Sequence, residues 1–390
     1  MQLNHSIQLA YSTNLHRSES WAETFFALEN YTLAVRERVC PHKPFAIGLR
    51  LSARAANELS DRETMLEFRR WLAKNSCYVF TLNGFPYGQF RARIKETVYR
   101  PDWTTPERVA YTNQLFNLLS ELVPGNVEGS VSTLPGTFKE FHPSPEALKI
   151  IRQNIWSCVE HIARISARTG RKLHLGLEPE PLCQLESSAE ALHCFDHFRA
   201  EHPRDERLSE HLGINYDTCH FAAEFEDPQN ALACLVNHGI KISKIHVSSA
   251  LRATPTPEAR EALVQFAEDT FLHQVVARDD AGGRMIFSDL PDALAHARRH
   301  YTNGEPLPEW RIHFHVPMHA QPAPPLENTN DHLLGILDLL GQVPGICSHL
   351  EMETYSWEVL PAELKSQPVV DQLVAEYDWV LARLRERGLA

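Results

Sequence analysis

The chain has 390 residues, of which 43% are hydrophobic and 23% are charged, and its formal net charge is −12. This composition is typical of an ordinary globular protein, long enough for two average domains or one large α/β barrel. No run of Lys and Arg could grip successive phosphates, so we expect no nucleic-acid partner.

Cysteine usage and the N-terminal sequence bear on location. The eight cysteines are scattered without a C-x-x-C pair, which indicates reduced core thiols of a cytoplasmic protein and not a disulfide framework. The opening MQLNHSIQLAYSTN lacks a basic segment followed by an apolar core, so we expect no signal peptide. No apolar run approaches the ~20 residues that a membrane helix needs, so we expect no membrane insertion.

Short apolar runs typical of strands alternate along the chain with long amphipathic stretches typical of helices. This alternation predicts βαβ units and a parallel sheet, and about eight such units predict a (β/α)8 TIM barrel. The predicted strands are 8–14, 45–52, 77–85, 126–134, 172–180, 212–218, 242–249, 310–317 and 345–353. The clearest predicted helices are 63–74, 106–123, 143–170 and 332–343.

One predicted strand exceeds the number that this barrel needs, and we assign WRIHFHVP, 310–317, as the accessory one. It lies in an insertion of about 253–340 between strand 7 and the last strand, which we expect to cover the barrel mouth of a single domain, 1–390. The insertion contains a hairpin turn at 281–283 and a Pro-rich loop, QPAPPLENTN. A doubly wound sheet is the rival fold, but YSTNLHRSESW has no G-x-G-x-x-G after the first strand.

Polar residues occur where the predicted strands end, and catalytic groups of TIM barrels lie at the C-terminal ends of strands. The last four barrel strands end in Glu178 and Glu180, in Asp217, in His246, and in Glu351 and Glu353. Earlier strands end in Asn14 with His16 and in Asn83, and the accessory strand carries His313 and His315.

Carboxylates that converge without a cation repel one another, and some must then take up protons. A divalent metal removes this conflict, and carboxylates with one imidazole suit Mn²⁺, Zn²⁺, Co²⁺ or Mg²⁺. Each residue alone is more simply a helix cap or a solvated turn. Four successive strands with such ends favour a metal site. Residues two apart on a strand share a face, so the metal-binding Glu of each E-x-E pair stays open.

The strand-end pattern resembles the xylose isomerase-like sugar isomerase/epimerase superfamily. Its ketose 3-epimerases end these strands in Glu, D-T-x-H, H-x5-R and Glu. The chain has LGLE at Glu178, then Asp217-Thr218-Cys219-His220, then His246 with Arg252 at the same spacing, and finally Glu351 or Glu353. More narrowly, YSTNLHRSESW, FTLNGFPYGQF, YRPDW, LEPEP, YDTCH and HLEMETYSW are similar to EboE-type metabolite traffic proteins.

The resemblance implies a set of residue roles. The implied metal ligands are Glu178, Asp217, His246, and Glu351 or Glu353. Glu178, Glu351, Glu353 and His220 would be catalytic. Arg252, with His220, would hold a substrate oxygen or anionic group. Positions near strand ends or in the insertion, which has no epimerase counterpart, add further candidates for substrate contact: Glu180, Glu186, His16, Asn83, His313 and His315. The epimerases follow their first Glu with N-R-x-E, whereas this chain has Pro179-Glu180-Pro181 and its next Glu at 186.

The function implied is that of a metal-dependent isomerase or epimerase. It would act on a sugar-like or hydroxy-carbonyl metabolite of a secondary-metabolite pathway through a metal-stabilised enediolate. Two alternatives stay open: a metal-dependent phosphoesterase of the endonuclease IV-like type, and a non-catalytic protein that binds or carries a metabolite. In each case the expected partner is a small molecule. The substrate, the number of ions and the oligomeric state stay open.

Overall fold

The computed structural model describes every residue except 89–94, 302–305, 363 and 366. The strands are Gln8–Ser12 (β1), Phe45–Arg50 (β2), Cys77–Asn83 (β3), Gly129–Thr133 (β4), Leu173–Leu177 (β5), Leu212–Asp217 (β6), Lys241–Val247 (β7), Leu251–Ala253 (β8), Val275–Arg278 (β9), Arg284–Phe287 (β10), Glu309–Ile312 (β11), Glu327–Asn328 (β12) and His349–Met352 (β13). Eight of them form a closed parallel barrel in the order β1-β13-β7-β6-β5-β4-β3-β2.

Helices surround the barrel between successive strands. They are Trp21–Ala27 (α1), Leu33–Val39 (α2), Ala53–Leu59 (α3), Arg62–Lys74 (α4), Pro106–Leu122 (α5), Pro145–Thr169 (α6), Ser188–Glu201 (α7), Arg207–His211 (α8), Thr218–Ala223 (α9), Pro228–Asn237 (α10), Pro257–Leu263 (α11), Leu290–His300 (α12), Asn330–Gln342 (α13) and Val369–Arg385 (α14). A π-helical turn, Leu28–Thr32, joins α1 to α2. Short 3-10 helices cover Asn4–Ser6, Lys95–Tyr99, Lys139–Phe141, Val264–Phe266, Pro344–Ile346 and Ser356–Val359.

Local sequence sets where these helices begin and end, as α6 illustrates. Ser144 accepts a hydrogen bond from the backbone N–H of Ala147, and Pro145 occupies the first helical position, where its missing N–H costs nothing. Gly170 ends the helix in the left-handed region at φ 68°. Buried Ile and Val side chains recur along α6 at helical spacing and face the barrel. This amphipathic pattern explains why the long helices are readable from sequence.

The segment between β7 and β13 forms a second, five-stranded sheet in the order β10-β9-β11-β8-β12. Its pairs are antiparallel. It has an apolar cluster of its own, in which Trp310 packs with Leu263 of α11 and Leu294 of α12. The backbone of Val316 donates to the Ser249 carbonyl at 3.0 Å, which ties the chain after β11 to the end of β7.

The structure confirms the predicted (β/α)8 barrel with its insertion between strand 7 and the last strand. WRIHFHVP supplies β11 of the second sheet, as expected, and the predicted hairpin joins β9 to β10. The Pro-rich stretch is a loop that ends in the short strand β12. All eight cysteines are free, and all but Cys234 are buried. Among the described residues, no helix is both long and apolar enough to cross a membrane.

Candidate metal centre at the barrel mouth

A cavity opens at the C-terminal ends of the barrel strands. Polar side chains form its floor, and Phe85, Tyr99 and Leu134 form part of an apolar wall. The insertion closes the opposite side with Phe271, Leu272, His313 and His315. Among the described residues that line this cavity, none is Lys or Arg.

Four side chains on the cavity floor, Glu178, Asp217, His246 and Glu353, form what we call the outer ring. His246 Nδ1 lies 2.9 Å from Glu178 Oε1 and 3.3 Å from Asp217 Oδ2. Donor atoms of His246, Glu351 and Glu353 also lie within 4.8 Å of one another. Asp217 and His246 are paired across β6 and β7, so the sheet register itself sets this proximity.

The D-x-x-H motif owes its geometry to the start of α9. Asp217 Oδ1 accepts hydrogen bonds from the backbone N–H of Cys219 at 2.7 Å and of His220 at 3.3 Å, so it caps the helix. Ser248 Oγ donates to the same oxygen at 2.6 Å. With Oδ1 saturated, Oδ2 is left facing the outer ring. The residue is therefore both a helix cap and a candidate ligand.

His246 is the electrostatic centre of the outer ring. Its Nε2 lies 3.3 Å from Glu351 Oε2, so both ring nitrogens face carboxylates. Burial opposes the charged form, but Glu178 and the neighbouring acids raise the pKa of His246 well above its ordinary value. His246 in turn holds the pKa of Glu178 below its usual range despite burial. The ring thus favours a positive charge at this point.

Glu353, which directly follows β13, closes the outer ring and is held by residues at the end of β1. Its Oε2 accepts from Ser12 Oγ at 2.8 Å, and its Oε1 accepts from Asn14 Nδ2 at 2.7 Å. Burial, with the Glu351 carboxylate near by, raises the pKa of Glu353. Glu353 lines the cavity, whereas Glu351 lies beneath it.

Beneath the outer ring, Asn83, Ser132, Lys244 and Glu351 form what we call the inner layer. Lys244 Nζ donates to Glu351 Oε2 at 2.5 Å and to Asn83 Oδ1 at 2.7 Å, and Asn83 Nδ2 donates to Glu351 Oε1 at 2.7 Å. Burial opposes ionisation, yet Lys244 and His246 hold the pKa of Glu351 at about 2. Both oxygens of Glu351 therefore already have cationic or amide partners.

Gly48 of β2 makes room for the inner layer. A Cβ at this position would lie 1.9 Å from Glu351 Oε1. No side chain fits there unless Glu351 moves, so glycine at 48 fixes where the Glu351 carboxylate can lie.

Three histidines on the cavity wall have defined orientations. His220 Nδ1 donates to the Pro179 carbonyl at 2.9 Å, and His315 Nδ1 donates to the Glu353 carbonyl at 2.8 Å. His313 Nδ1 donates to Gln274 Oε1 at 2.8 Å. Each ring therefore carries its lone pair on Nε2. Burial lowers the pKa of His220 and, more strongly, of His313, which keeps these rings neutral.

Glu180 points into the cavity but has a different environment from Glu178. Tyr99 donates its hydroxyl hydrogen to Glu180 Oε1 at 2.5 Å, and Gln274 Nε2 donates to that hydroxyl at 2.7 Å. Burial raises the pKa of Glu180 to about 8. The two acids of this E-x-E pair thus differ in charge at neutral pH.

Three residues expected at the substrate lie elsewhere. Arg252 is on β8 of the second sheet, where its guanidinium pairs with Glu327 at 2.8 Å and Asp331 at 3.1 Å. His16 Nε2 contacts the Tyr11 hydroxyl at 2.5 Å, and Glu186 pairs with Lys139 at 2.6 Å. Each of these three side chains therefore has a partner within the protein. The structure brings together the remaining expected residues: Glu351 lies beneath the cavity in the inner layer, Asn83 belongs to the inner layer and also lines the cavity, and the others line the cavity.

Sequence reasoning missed Lys244, Tyr99 and Gln274. Lys244 lies two residues before His246 on β7, so it shares the same inward face, and that alternation was a usable signal. Tyr99 precedes a loop, and Gln274 lies in the insertion, so neither occupies a strand-end position. Their contacts with Glu180 depend on the tertiary structure.

Comparisons with known proteins agree with this architecture. No protein-family profile and no curated protein sequence matches the chain. A xylose isomerase-like TIM barrel protein from Mycobacterium smegmatis, solved in complex with magnesium, aligns at a TM-score of 0.55 with 12% identity over 99% of both chains. A xylose isomerase domain protein from Planctomyces limnophilus aligns at 0.50 with 14% identity, over 97% of this chain and 96% of that one. At these identities the likeness shows the fold alone: the chain folds like the xylose isomerase-like TIM barrels.

Proposed function

We propose that the chain is a metal-dependent isomerase or epimerase of a hydroxy-carbonyl metabolite. The observation that carries the proposal is the outer ring, in which carboxylates from three strand ends meet one imidazole at the cavity floor. The inner layer has its own ammonium group, whereas the outer ring has no Lys or Arg among the described residues. A divalent cation would balance these acids.

We assign Glu178, Asp217 and His246, whose donor atoms lie within 4.8 Å of one another, as ligands of such an ion, and Glu353, which lies within the same distance of His246, as the fourth. His246 would bind through Nδ1 and donate Nε2–H to Glu351, the arrangement in which an outer carboxylate orients a metal-bound histidine. This assignment makes Glu353 the ligand of its E-x-E pair and Glu351 the support. A ligand set of carboxylate oxygens with one imidazole nitrogen can bind Mn²⁺, Zn²⁺, Co²⁺ or Mg²⁺.

The bound ion would supply Lewis acidity that stabilises negative charge developing on the substrate oxygens. Glu178 and Glu353 come from β5 and β13, on different sides of the cavity floor. One would remove the proton beside the carbonyl, and the other would return a proton. Glu180, neutral at pH 7 because burial raises its pKa to about 8, would donate a hydrogen bond to a substrate oxygen. His220 would orient that oxygen.

The substrate proposal is a neutral, sugar-like molecule. The described lining offers no cationic side chain for a phosphate, which makes the phosphoesterase alternative less favourable. The motifs similar to EboE-type proteins are the reason for proposing a secondary-metabolite precursor, handled in the cytoplasm.

Solvent deuterium exchange tests the proposal directly. Loaded with Mn²⁺ or Zn²⁺ and incubated with a panel of ketoses and smaller hydroxy-ketones in D₂O, the protein should exchange the C–H beside the carbonyl of at least one compound. Glu178→Gln and Glu353→Gln should each lose at least about 100-fold of the exchange rate. The matched control Glu186→Gln, whose carboxylate pairs with Lys139 outside the cavity, should keep it. Metal binding without exchange of any compound would instead favour a metabolite-binding protein.

A further inference from the structure

The cavity above the outer ring has two kinds of lining. Beside the ring, His220 and His315 donate from Nδ1 to backbone carbonyls, so each imidazole keeps its Nε2 lone pair for a ligand. The rest of the lining, which we call the apolar wall, comes from the barrel loops and the insertion and consists of Phe85, Val98, Tyr99, Leu134, Phe271 and Leu272. A ligand in this cavity therefore meets hydrogen-bonding groups near the outer ring and mostly hydrocarbon elsewhere.

The strand order sets where the barrel half of the apolar wall lies. Phe85 follows β3 and Leu134 follows β4, and in the closed barrel these strands lie across from β7 and β13. His246 and Glu353 are at the ends of β7 and β13. A molecule with one end at the outer ring therefore reaches across the cavity to the apolar wall.

The polar groups within and below the apolar wall already have partners in the protein. The Tyr99 hydroxyl donates to Glu180 at 2.5 Å and accepts from Gln274 at 2.7 Å. Ser132 Oγ donates to Asn83 Oδ1 at 2.8 Å. Among the described residues, a substrate hydroxyl that faced this wall would find no unpaired hydrogen-bonding group on it. A buried hydroxyl without a partner is disfavoured.

Lys95 fixes the two halves of the apolar wall to each other. Its Nζ donates to the Glu268 carbonyl at 2.6 Å and to Asp289 Oδ2 at 2.7 Å, which binds the 3-10 helix that contains Val98 to the insertion. The Glu268 carboxylate in turn accepts from the backbone N–H of Phe271 at 2.8 Å. Polar contacts behind the apolar wall therefore hold it in place before any ligand binds.

Aromatic rings make up much of the apolar wall. The Phe85 and Tyr99 rings are stacked at 5.6 Å, and Tyr99 stacks on Phe138 at 4.4 Å. From the insertion, Phe271 packs edge-on against Tyr355 at 5.1 Å. Aromatic side chains pack favourably against further flat rings in offset or edge-on geometry. The apolar wall thus suits a planar apolar group.

We propose that the substrate has a flat apolar substituent, such as an aryl group, beside its hydroxy-carbonyl unit and is not a polyol. This inference rests on the proposed function and narrows it to a molecule that is sugar-like only at its hydroxy-carbonyl end. That end would lie at the outer ring and the Nε2 atoms of His220 and His315. The substituent would lie against the apolar wall, where its removal from water favours binding.

A matched pair of ligands tests the substituent. Hydroxymethyl benzyl ketone and erythrulose share a hydroxymethyl ketone, which is followed by a phenyl-bearing carbon in the first and by hydroxyl-bearing carbons in the second. In isothermal titration of the full chain loaded with Mn²⁺, the benzyl ketone should bind at least about tenfold more tightly. Tighter or equal binding of erythrulose, or binding of neither compound, would overturn the apolar substituent.

Variants of the apolar wall locate the effect. Phe85→Ala should lose at least about tenfold in affinity for the benzyl ketone and keep that for erythrulose. The matched control Phe26→Ala, on α1 and 60% exposed, should bind both as the wild type does. Val98→Thr replaces a methyl by a hydroxyl at nearly the same size, so it covers the case in which Phe85→Ala fails to fold and should narrow the preference. An unchanged preference in the folded wall variants would contradict the proposal.

The outcomes for the substituent and for the proposed function are separate. Preferential binding of the benzyl ketone without deuterium exchange of any compound would overturn the isomerase and leave the apolar substituent standing. Exchange of erythrulose without a preference for the benzyl ketone would support the isomerase and overturn the substituent.

Discussion

The inner layer and the outer ring lie one above the other inside the same barrel, and both contain buried carboxylates. In the inner layer, Lys244 balances Glu351, and Asn83 satisfies the remaining oxygen. In the outer ring, three carboxylates surround His246, whose protonation is the only cationic contribution from the ring's own side chains. A layer whose carboxylate is balanced by an ammonium group is complete as folded, whereas a ring of three carboxylates around one imidazole is suited to take up a divalent cation from solution.

This difference assigns distinct roles to chemically equivalent residues. Glu351 and Glu353 lie two apart near the end of one strand, yet Glu351 has a pKa of about 2 beside Lys244, and burial raises the pKa of Glu353. The two glutamates therefore differ in pKa because of their neighbours on adjacent strands, and not because of their own chemistry. Four substitutions test this contrast between the inner layer and the outer ring.

Asp217→Asn should have the largest effect, because it removes the charge of a proposed metal ligand that lies with Glu178 and His246. Asn still caps a helix well, so α9 should persist while affinity for Zn²⁺ falls more than about 100-fold. Isothermal titration measures the affinity. Asp227→Asn, a cap of α10 distant from the ring, is the matched control and should bind as the wild type does. Unchanged affinity in Asp217→Asn would show that the outer ring holds no ion through this residue.

Lys244→Met should destabilise the fold by about 3 kcal/mol at pH 7, because the buried Glu351 carboxylate loses its ammonium partner and keeps only Asn83 and His246 beside it. The loss should shrink toward pH 4, where the uncompensated carboxyl can take up a proton. In the wild type, the depressed pKa of Glu351 contributes stability above pH ~4.5 that is lost as pH falls toward 2.

Urea denaturation at several pH values checks this expectation. The double variant Lys244→Met/Glu351→Gln removes both charges and should recover part of the stability at pH 7. If it is no more stable than Lys244→Met, the inner layer is not held by its ion pair.

Gly48→Ala should cost about 3 kcal/mol, because its methyl group would overlap Glu351 Oε1. The displaced carboxylate would no longer support His246, so metal affinity should also fall by about tenfold. Thermal denaturation and metal titration report the two effects. Gly170→Ala, at a positive φ with nothing near its Cβ, is the control that should reduce stability and leave metal affinity unchanged. If Gly48→Ala and Gly170→Ala bind metal with equal affinity, Gly48 has no influence on the metal site.

Glu376→Gln should have the smallest effect and extends the comparison to a buried acid on α14. Burial raises the pKa of Glu376 to about 8. A raised pKa in the folded state contributes stability that is complete below pH ~4.5 and lost as pH rises to 8. The variant lacks this loss, so it should be more stable than the wild type by about 2 kcal/mol at pH 6 and nearly equal to it at pH 4.5. A constant difference across pH would contradict the assignment.

Much of the barrel and many of the site positions could be predicted from sequence. The runs that became β1 to β7 and β13 were readable because buried parallel strands are continuous apolar runs bounded by polar ends. The residues that follow those strands were expected to lie close together, because the C-terminal ends of the parallel strands all lie at the same end of the barrel. In the insertion, the sequence predicted β11 and the turn of the β9–β10 hairpin. It did not predict β8 and β12, because these strands are short and do not pair with their neighbours in the chain.

The spacing of residues along the chain is a poor guide to the role of a side chain whose partners lie in another part of the fold. Arg252 has the H-x5-R spacing, but the chain turns into the second sheet after β7, and the guanidinium pairs with Glu327 and Asp331. Lys244 was overlooked because its partner, Glu351, is far away in sequence.

The order of strands and helices, the residues that cap them and the polar residues at strand ends can be inferred from the amino-acid sequence. Periodicity and capping are local properties, so they depend on residues that are close together in the chain. Which glutamate has a cation beside it, which histidine nitrogens donate hydrogen bonds and which arginine is already paired become visible only in the folded barrel. Those properties depend on the distances between groups on different strands and on their burial, which fix charge and hydrogen bonding only once the barrel is closed.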